Sequence, residues 1–501
     1  MRIKLILAII SAVLLVGAFP AMAVDIPVAD GESIQAAIDV AVEGDRILVA
    51  AGTFNGALVI DGKTDLKLIG AGTDDSIISG VGVVGDLITI TNSSDIQVKK
   101  FTVAGTAAAT NDIYIDLSRN VLIKKCVIRG AVSAGIYYLR GVGLTITENT
   151  VTLNGGDGIY FDDYSWINVI TLNTVTENGG TGIYHYYGNE DLIEGNTVST
   201  NGGDGIYNEY GAPLHIKNNV VTGNSGYGIY EDAYGAYLNK VNKNTVTLNG
   251  SDGIYVYQGI KVKKNKVNEN VGDGIYASSY GNIITENKVK TNTGDGIYCN
   301  DYNNWVEANV VDGNTGDGIY AYGTGSQILN NEVTNNGGDG IYNSEDLATI
   351  SGNFVDTNGG DGIVPYYDSI LVTDNISTNN GGYGIYTDDY SNTILRNKVK
   401  LNGSDGIGGY CWTCVIKDNN VRRNVGDGIV DVEHSKVAGN VVAKNAENGI
   451  DAQGYYGNWI KNNVTFENGD GITYFDLYDD ADPTDDYWQG NTSDTSSPAG
   501  L

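Results

Sequence analysis

Cysteine, histidine and positive charge are all scarce in this 501-residue chain, and each scarcity removes a class of function. Four cysteines are too few to staple so long a chain, so a disulfide scaffold is excluded and something else must hold the fold. His185, His215 and His434 are scattered, with neither zinc-ligand nor Ser-His-Asp spacing. Only 30 Lys and Arg stand against 61 Asp and Glu, a formal charge of −31. Such a surface gains no counterion release from nucleic acid or an anionic membrane, which argues against both as partners. Beyond the N-terminus, no run approaches the roughly 18 apolar residues that a membrane span requires.

The first residues stand apart. Arg2 and Lys4 precede an uncharged apolar run from Leu5 to Phe19, and Ala21-Met22-Ala23 offers a small-x-small cleavage site. Residues 1–23 are therefore expected to be a secretory signal peptide, with the mature chain starting at Val24 outside the cytoplasm: secreted, periplasmic or on the cell surface. Their removal leaves 28 Lys and Arg against 61 Asp and Glu, a formal charge of −33.

What the chain has in abundance is itself. A Gly-Ile pair recurs sixteen times, with Ile at 136, 159, 183, 206 and onwards to 450 and 472, at intervals of 21 to 25 residues, and Tyr follows eleven of them. Ten residues before the Ile an Asn stands in fifteen consecutive units, from Asn149 and Asn173 to Asn440 and Asn462. A second Asn lies five before, as at Asn154 and Asn178, giving the unit [IV]xxNxVxxNxxxGIY.

Short alternating β-branched runs cut by Asn and Gly fit strands and turns, not helices. A period near 22 residues with three short strands is one coil of a parallel β-helix, in which each strand pairs with its copy about 4.8 Å away. The expected fold is all-β: a single-domain right-handed parallel β-helix of roughly twenty coils, a rod on the order of 95 Å long. Equivalent residues then stack in columns, Ile inward and Tyr outward. Asn belongs at an inward corner, where its amide can bond the backbone groups that a bend leaves unpaired and the Asn of the next coil. The Gly before Ile serves either a positive φ or a close approach between coils. The helix is expected to span residues 24–475, with regular coils from about 123 and Cys126 in an Asn slot. A short amphipathic helix, Ile34 to Val42, is expected to cover the open N-terminal end. Residues 476–501 form an acidic C-terminal cap or tail.

The opening IQAAIDVAVEGDRILVAAGTF, the NxVxxNxxxGIY units and the closing NTSDTSSPAGL together make the chain resemble the secreted right-handed parallel β-helix proteins of the pectin-lyase-like superfamily, particularly those with NosD-like repeats. The resemblance covers nearly the whole mature chain. It implies the fold, and a function among polysaccharide lyases, hydrolases, epimerases, adhesins and surface-layer components. The enzyme signatures of that group are missing: there is no GHG, RIK or DPH, and DPTDD from Asp482 to Asp486 is only superficially similar. Copper delivery, suggested by the NosD name, finds no Met-rich or His-rich segment.

Three surfaces are candidates for function. Tyr supplies 34 of the 46 aromatics, and Tyr160, Tyr184, Tyr207, Tyr230, Tyr255, Tyr276, Tyr298 and Tyr320 fall in consecutive coils as one outward wall. Such a wall either binds an extended glycan or merely stabilises adjacent strands. Three residues after the Ile, Asp162, Tyr186, Glu209 and Asp232 share the outward phase, with His185 beside them. These could act as acid, base or Ca²⁺ ligands on a polysaccharide, or form a solvated acidic face. Asp479, Asp480, Asp482 and Asp485 in the tail are the other Ca²⁺ candidates. Asp also stands two residues before many of the Ile positions, Asp273, Asp295, Asp317, Asp339 and Asp361 among them, as turn residues splayed into water or as holders of cations. Cys411 and Cys414 frame CWTC, for which a structural role is expected, while Cys126 and Cys299 lie seven coils apart. The expected function is an exported rod binding polysaccharide or an envelope glycan along a Tyr-rich acidic face, with a structural or adhesive envelope role and a polysaccharide-modifying enzyme as alternatives.

Overall fold

A computed structural model describes residues 23–233, 238–452, 457–470, 472–479 and 486–497; the expected signal peptide, save its last residue Ala23, lies outside them. Each repeat folds into three short strands, for example Ile183–Tyr186, Asp191–Glu194 and Thr197–Ser199. Every strand pairs in parallel with its copy in the next coil, keeping Ile183 opposite Ile206, Ile193 opposite Ile216 and Val198 opposite Val221. The result is a parallel β-solenoid of about twenty turns. Its faces are a 21-stranded sheet, a 16-stranded sheet and a third ladder running from Gly52–Asn55 to Val464–Phe466. Ile206, Ile216 and Val221 are fully buried, and each such side chain contributes roughly 1.5–3 kcal/mol. No helix of the described residues is long and apolar enough to cross a membrane.

The helix Ile34–Val40 covers the first coil as expected, but ends before Val42 because Ala41 turns extended at φ −64°, ψ 138°. Ser33 caps it by accepting the Ala36 N–H at 3.1 Å. Ile34, Ala37 and Ile38 are buried against the first strands.

The corners carry a feature beyond the expected Asn. The residue before each ladder Asn lies in the left-handed region, as with Glu148 (φ 57°), Leu153 (φ 57°), Ala308 (φ 55°) and Leu401 (φ 59°). Such a conformation costs a non-glycine residue about 1–3 kcal/mol, so the Asn that follows must over-determine it. It does so: Asn309 Oδ1 accepts the Asn287 N–H at 2.9 Å and Asn287 Nδ2 at 3.0 Å, while Asn309 Nδ2 donates to Ile284 O at 2.9 Å and Asn331 Oδ1 at 3.0 Å. A second column, through Asn154, Asn178 and Asn201, repeats the pattern at the other corner. Cys126 heads the first column, its N–H donating to Asn149 Oδ1 at 2.9 Å. The Gly before each Ile is there for close approach: a Cβ on Gly296 would lie 2.2 Å from Val311 Cγ1 and 2.6 Å from Gly318 O.

The last coil departs from the sequence pattern. Ile472 is 82% exposed, and Leu477 takes the inward place, paired with Ile450. The ladder Asn is Asn463, whose Oδ1 accepts from Asn440 at 2.9 and 3.0 Å, while Asn462 faces outward. Residues inserted in the turn displace the Gly-Ile pair, and Asp470 Oδ1 holds that turn by accepting the N–H groups of Ile472, Thr473 and Tyr474 at 2.8, 2.6 and 3.1 Å.

Candidate functional site

Strand alternation puts the Tyr after each Ile on the outside of the 16-stranded sheet, and coil spacing brings the rings into contact. From Tyr160 to Tyr320 the eight rings stack face to face, with neighbouring centroids 4.3 to 5.4 Å apart, and the column extends back through Tyr137 and on to Tyr342. Each contact contributes about 0.5–1.5 kcal/mol beyond area burial. The ring faces are taken up by neighbouring rings, so the column offers a ligand its edges and hydroxyls.

Beside the rings, Asp162, Tyr186, Glu209 and Asp232 face outward as expected, and the three carboxylates are tied to the column, Asp232 by a long bond of 3.5 Å from Tyr230 Oη. Tyr137 Oη donates to Asp162 Oδ2 at 2.6 Å, and Tyr184 Oη to Glu209 Oε2 at 2.8 Å. Burial first, then the accepting carboxylate, holds both phenols well above the ordinary range; burial pushes Tyr160 and Tyr207 up to about 12. These tyrosines are neutral donors, unsuited to act as phenolate bases. Burial, followed by the charge of Glu209, also raises Asp232.

His185 corrects the sequence reading. Two residues after Ile183 it has inward parity and is fully buried, so it does not stand beside the outer acids. Its Nε2 meets Asp191 Oδ2 at 2.5 Å and its Nδ1 meets Asn208 Oδ1 at 2.6 Å. Asn208 Nδ2 donates to Glu231 Oε1 at 2.9 Å, and Asn239 Nδ2 donates to the same oxygen at 2.6 Å. Burial pulls the imidazole down, but the Asp191 hydrogen bond and charge outweigh it and raise His185 overall, while burial lifts Glu231 to about 7. Gly188 and Gly211 leave the room: a Cβ on either would fall within 2.5 Å of the imidazole.

The coils just before this network are widened by longer strands. Strands Ile113–Arg119, Ile136–Val142 and Ile159–Trp166 run seven or eight residues, against three for Ile275–Ala277. Their ends line a groove of about 460 Å³ with Leu117, Arg119, Asn120, Arg140, Val142 and Tyr164. Arg140 is aimed by a two-pronged ion pair with the nearly buried Asp116, Nε to Oδ1 at 3.1 Å and Nη2 to Oδ2 at 2.7 Å. Sequence reading missed Arg140 and Asp116; the signal was the strand pattern of IYYLRGV continuing past its Tyr. A guanidinium in this groove, with the phenols and carboxylates of the tyrosine column beside it, can bind hydroxyls and carboxylates of a sugar chain.

The remaining candidates separate. Asp480, Asp482 and Asp485 lie outside the described residues, and Asp479 is buried with its Oδ2 accepting from Trp488 Nε1 at 3.1 Å. Among the described residues, no three His, Cys, Asp or Glu side chains are grouped to hold a metal ion. The Asp residues two before Ile do not splay into water: the N–H of Asp295 donates to Asp273 Oδ1 at 2.7 Å, that of Asp317 to Asp295 at 2.7 Å and that of Asp339 to Asp317 at 2.6 Å. Burial raises Asp273 and Asp317 to about 7 and Asp361 to about 6. Cys411 and Cys414 form a fully buried disulfide, a structural bond, and Cys126 and Cys299 are free and buried.

A family model for a right-handed β-helix region matches residues 86–239, 232–329 and 306–440. No curated protein matches the chain. Among solved structures, the A-module of a mannuronan C-5 epimerase from Azotobacter vinelandii is 18% identical, with 65% of this chain and 94% of that one covered at a TM-score of 0.41. A surface adhesin of Streptococcus pneumoniae is 15% identical over 65% and 92%, with a TM-score of 0.43. An alginate lyase from a Paenibacillus species is 16% identical over 54% and 95%, with a TM-score of 0.35. Three overlapping matches that together span residues 86–440, on a solenoid whose coils from Asn149 onward repeat one Asn-cornered unit, leave one conclusion: the chain belongs to the right-handed β-helix family.

Proposed function

We propose that the protein is an exported rod that binds polysaccharide along its tyrosine face, with the widened coils around Arg140 as the main contact. The observation that carries this reading is the unbroken column of phenol edges, tied to Asp162 and Glu209 and ending beside the Arg140 groove. The hydroxyls repeat once per coil, a spacing close to that of successive sugars in an extended glycan, and neutral phenols are suited to sugar hydroxyls. Export is supported by the N-terminal signal pattern and by the Cys411–Cys414 disulfide, a bond kept in oxidising compartments.

The test is affinity electrophoresis through gels containing polysaccharides. Tyr184→Phe combined with Tyr207→Phe keeps the ring stack and removes two hydroxyls, so retardation is expected to weaken about tenfold with an unchanged melting temperature. Equal retardation of the double variant would count against the tyrosine face. Proton NMR of uronate-rich polysaccharides in D₂O decides whether binding is accompanied by turnover: vinylic protons report a lyase, new reducing ends a hydrolase, and lost H-5 intensity an epimerase.

A further inference from the structure

The cations of this acidic rod are not spread evenly. Between Arg140 and Arg396 there are nine basic side chains; all are lysines, and all lie between Lys217 and Lys290. They project from the 21-stranded sheet, from the third ladder and from the corner between them, away from the tyrosine sheet. On the first of these, Lys240 pairs in register with Lys261, and Asn242 with Lys263. On the second, Lys266 pairs with Lys288, and Asn268 with Lys290. Lys243 and Lys264, at φ 56° and 58°, fill the corner.

Like charges directly opposite one another on adjacent strands are destabilising, and here the arrangement recurs on two faces of the same coils. Internal carboxylates do not cancel it. Glu286 takes Lys263 and Lys264 at 2.6 and 3.1 Å, while Glu194 and Asp312 pair with the outermost members, Lys217 at 3.2 Å and Lys290 at 3.0 Å. Lys240, Lys243, Lys261, Lys266 and Lys288 form no ion pair among the described residues. Asn242 and Asn268 sit among them with their amide oxygens buried, so the polar groups turned outward are donors. A groove of about 420 Å³ runs across the patch between Lys240, Asn242, Lys261, Lys263, Ile283 and Thr285. Burial, and then Lys240 and Lys217, hold His215 below its ordinary range, a sign of local positive potential.

We infer that this lysine island binds a strand of acidic polysaccharide carrying carboxylates at intervals near the coil spacing of about 4.8 Å. This site is independent of the tyrosine face. Three features select a glycan strand over other polyanions. The chain has no Lys or Arg at residues 141–216 or 291–395, so a flat anionic membrane would also meet the acidic coils on either side, whereas a short stretch of a single strand can lie in the groove over the island alone. The island contains no arginine, the residue whose planar fork suits phosphate. Its groove is lined without aromatic rings, so it offers no platform for nucleic-acid bases.

Affinity electrophoresis of the full mature chain tests this with polygalacturonate, a neutral glucan and single-stranded oligothymidine as probes, each at low and high salt. Polygalacturonate alone is expected to retard the protein, with affinity falling about tenfold or more at high salt. The quadruple variant K240Q/K261Q/K266Q/K288Q should lose about tenfold in affinity while melting no lower than wild type, because in-register repulsion is relieved. K398Q/K400Q, a lysine pair elsewhere on the rod, should bind like wild type. Undiminished binding by the quadruple variant, no retardation of wild type at low salt, or equal retardation by oligothymidine would each overturn the assignment.

Discussion

The coils around Ile136 to Ile229 and those from Ile254 to Ile319 share an outside and differ inside. Both carry the same Asn corners and the same tyrosine column. Two residues after the repeat Ile, however, the first group buries Tyr138, Phe161, His185, Asn208 and Glu231, whereas the second buries Val256, Ala277, Cys299 and Ala321. Of these fillers, the large Tyr138 and Phe161 sit in the long strands beside the Arg140 groove, while the polar His185, Asn208 and Glu231 follow in four-residue strands. A solenoid therefore specifies its corners and its filling separately: the ladders fix the path of the chain, and the inward position after Ile sets how wide the coil is and what charge it encloses. Function is to be sought where the filling changes, since there the rod stops being generic.

The sharpest way to break this comparison is to remove a charge from the polar interior. Asp191 accepts the Asn168 N–H at 2.6 Å as well as His185, and Asp191→Ala leaves a buried imidazole and an amide without partners. A loss of about 3–5 kcal/mol is expected, read as a lowered urea midpoint. A change below about 1 kcal/mol would mean that the interior network carries no net charge pairing. In the regular coils the corresponding test is Asn309→Leu, which leaves the Asn287 N–H and the Ile284 carbonyl unpaired in a residue site only 1% exposed. At about 1–3 kcal/mol for each orphaned group, roughly 2–6 kcal/mol should be lost. Equal effects of the two variants would show that corners and filling are equally stringent.

These two sites were not equally legible in the sequence. Asn309 could be placed from spacing alone, because a column of amides at a fixed phase has one physical explanation at a bend. The parity of His185 was also readable, two residues after an inward Ile, but its place next to Tyr186 in the outward column drew it outward. Its partner Asp191 lies on a different sheet, and Arg140 meets Asp116 one coil earlier, so neither pair follows from local pattern. The left-handed corner residues were hidden because side chains as unlike as Leu153 and Glu148 fill them, and what permits them is the Asn that follows. Ile472 misled for the opposite reason: the local motif is intact, and only the added turn residues before Leu477 move it out of register.

A smaller effect belongs to the shared outside. Tyr298 stacks on Tyr276 and on Tyr320, both at 4.9 Å, and Tyr298→Ala removes both contacts from an exposed column. A cost of about 0.5–2 kcal/mol is expected. The same substitution at Tyr160, in the widened coils, should cost a similar amount, since its contacts at 4.9 and 4.8 Å are alike. A much larger loss at Tyr160 would show that the filling beneath is coupled to the rings above, contrary to the separation of layers drawn here.

The smallest single-site effect is expected along the aspartate ladder, and its sign is opposite to that of ordinary acid denaturation. Burial holds Asp273 and Asp317 at about 7, above the unfolded value of about 3.9, so folding favours their protonated forms. The stability they contribute is full below the unfolded value and is lost as pH rises through about 7. Wild type should therefore melt at a higher temperature near pH 5 than near pH 8, with the buried His185, also raised, adding to the same trend. Asp317→Asn keeps an oxygen to accept the Asp339 N–H, which Asp317 Oδ1 holds at 2.6 Å, and removes the charge. It should leave the acid-side melting temperature nearly unchanged and raise the alkaline one, flattening the profile. If melting instead rises with pH and Asp317→Asn lowers it, the ladder is stabilised as anions, and the hydrogen bond alone does not account for the stacked carboxylates.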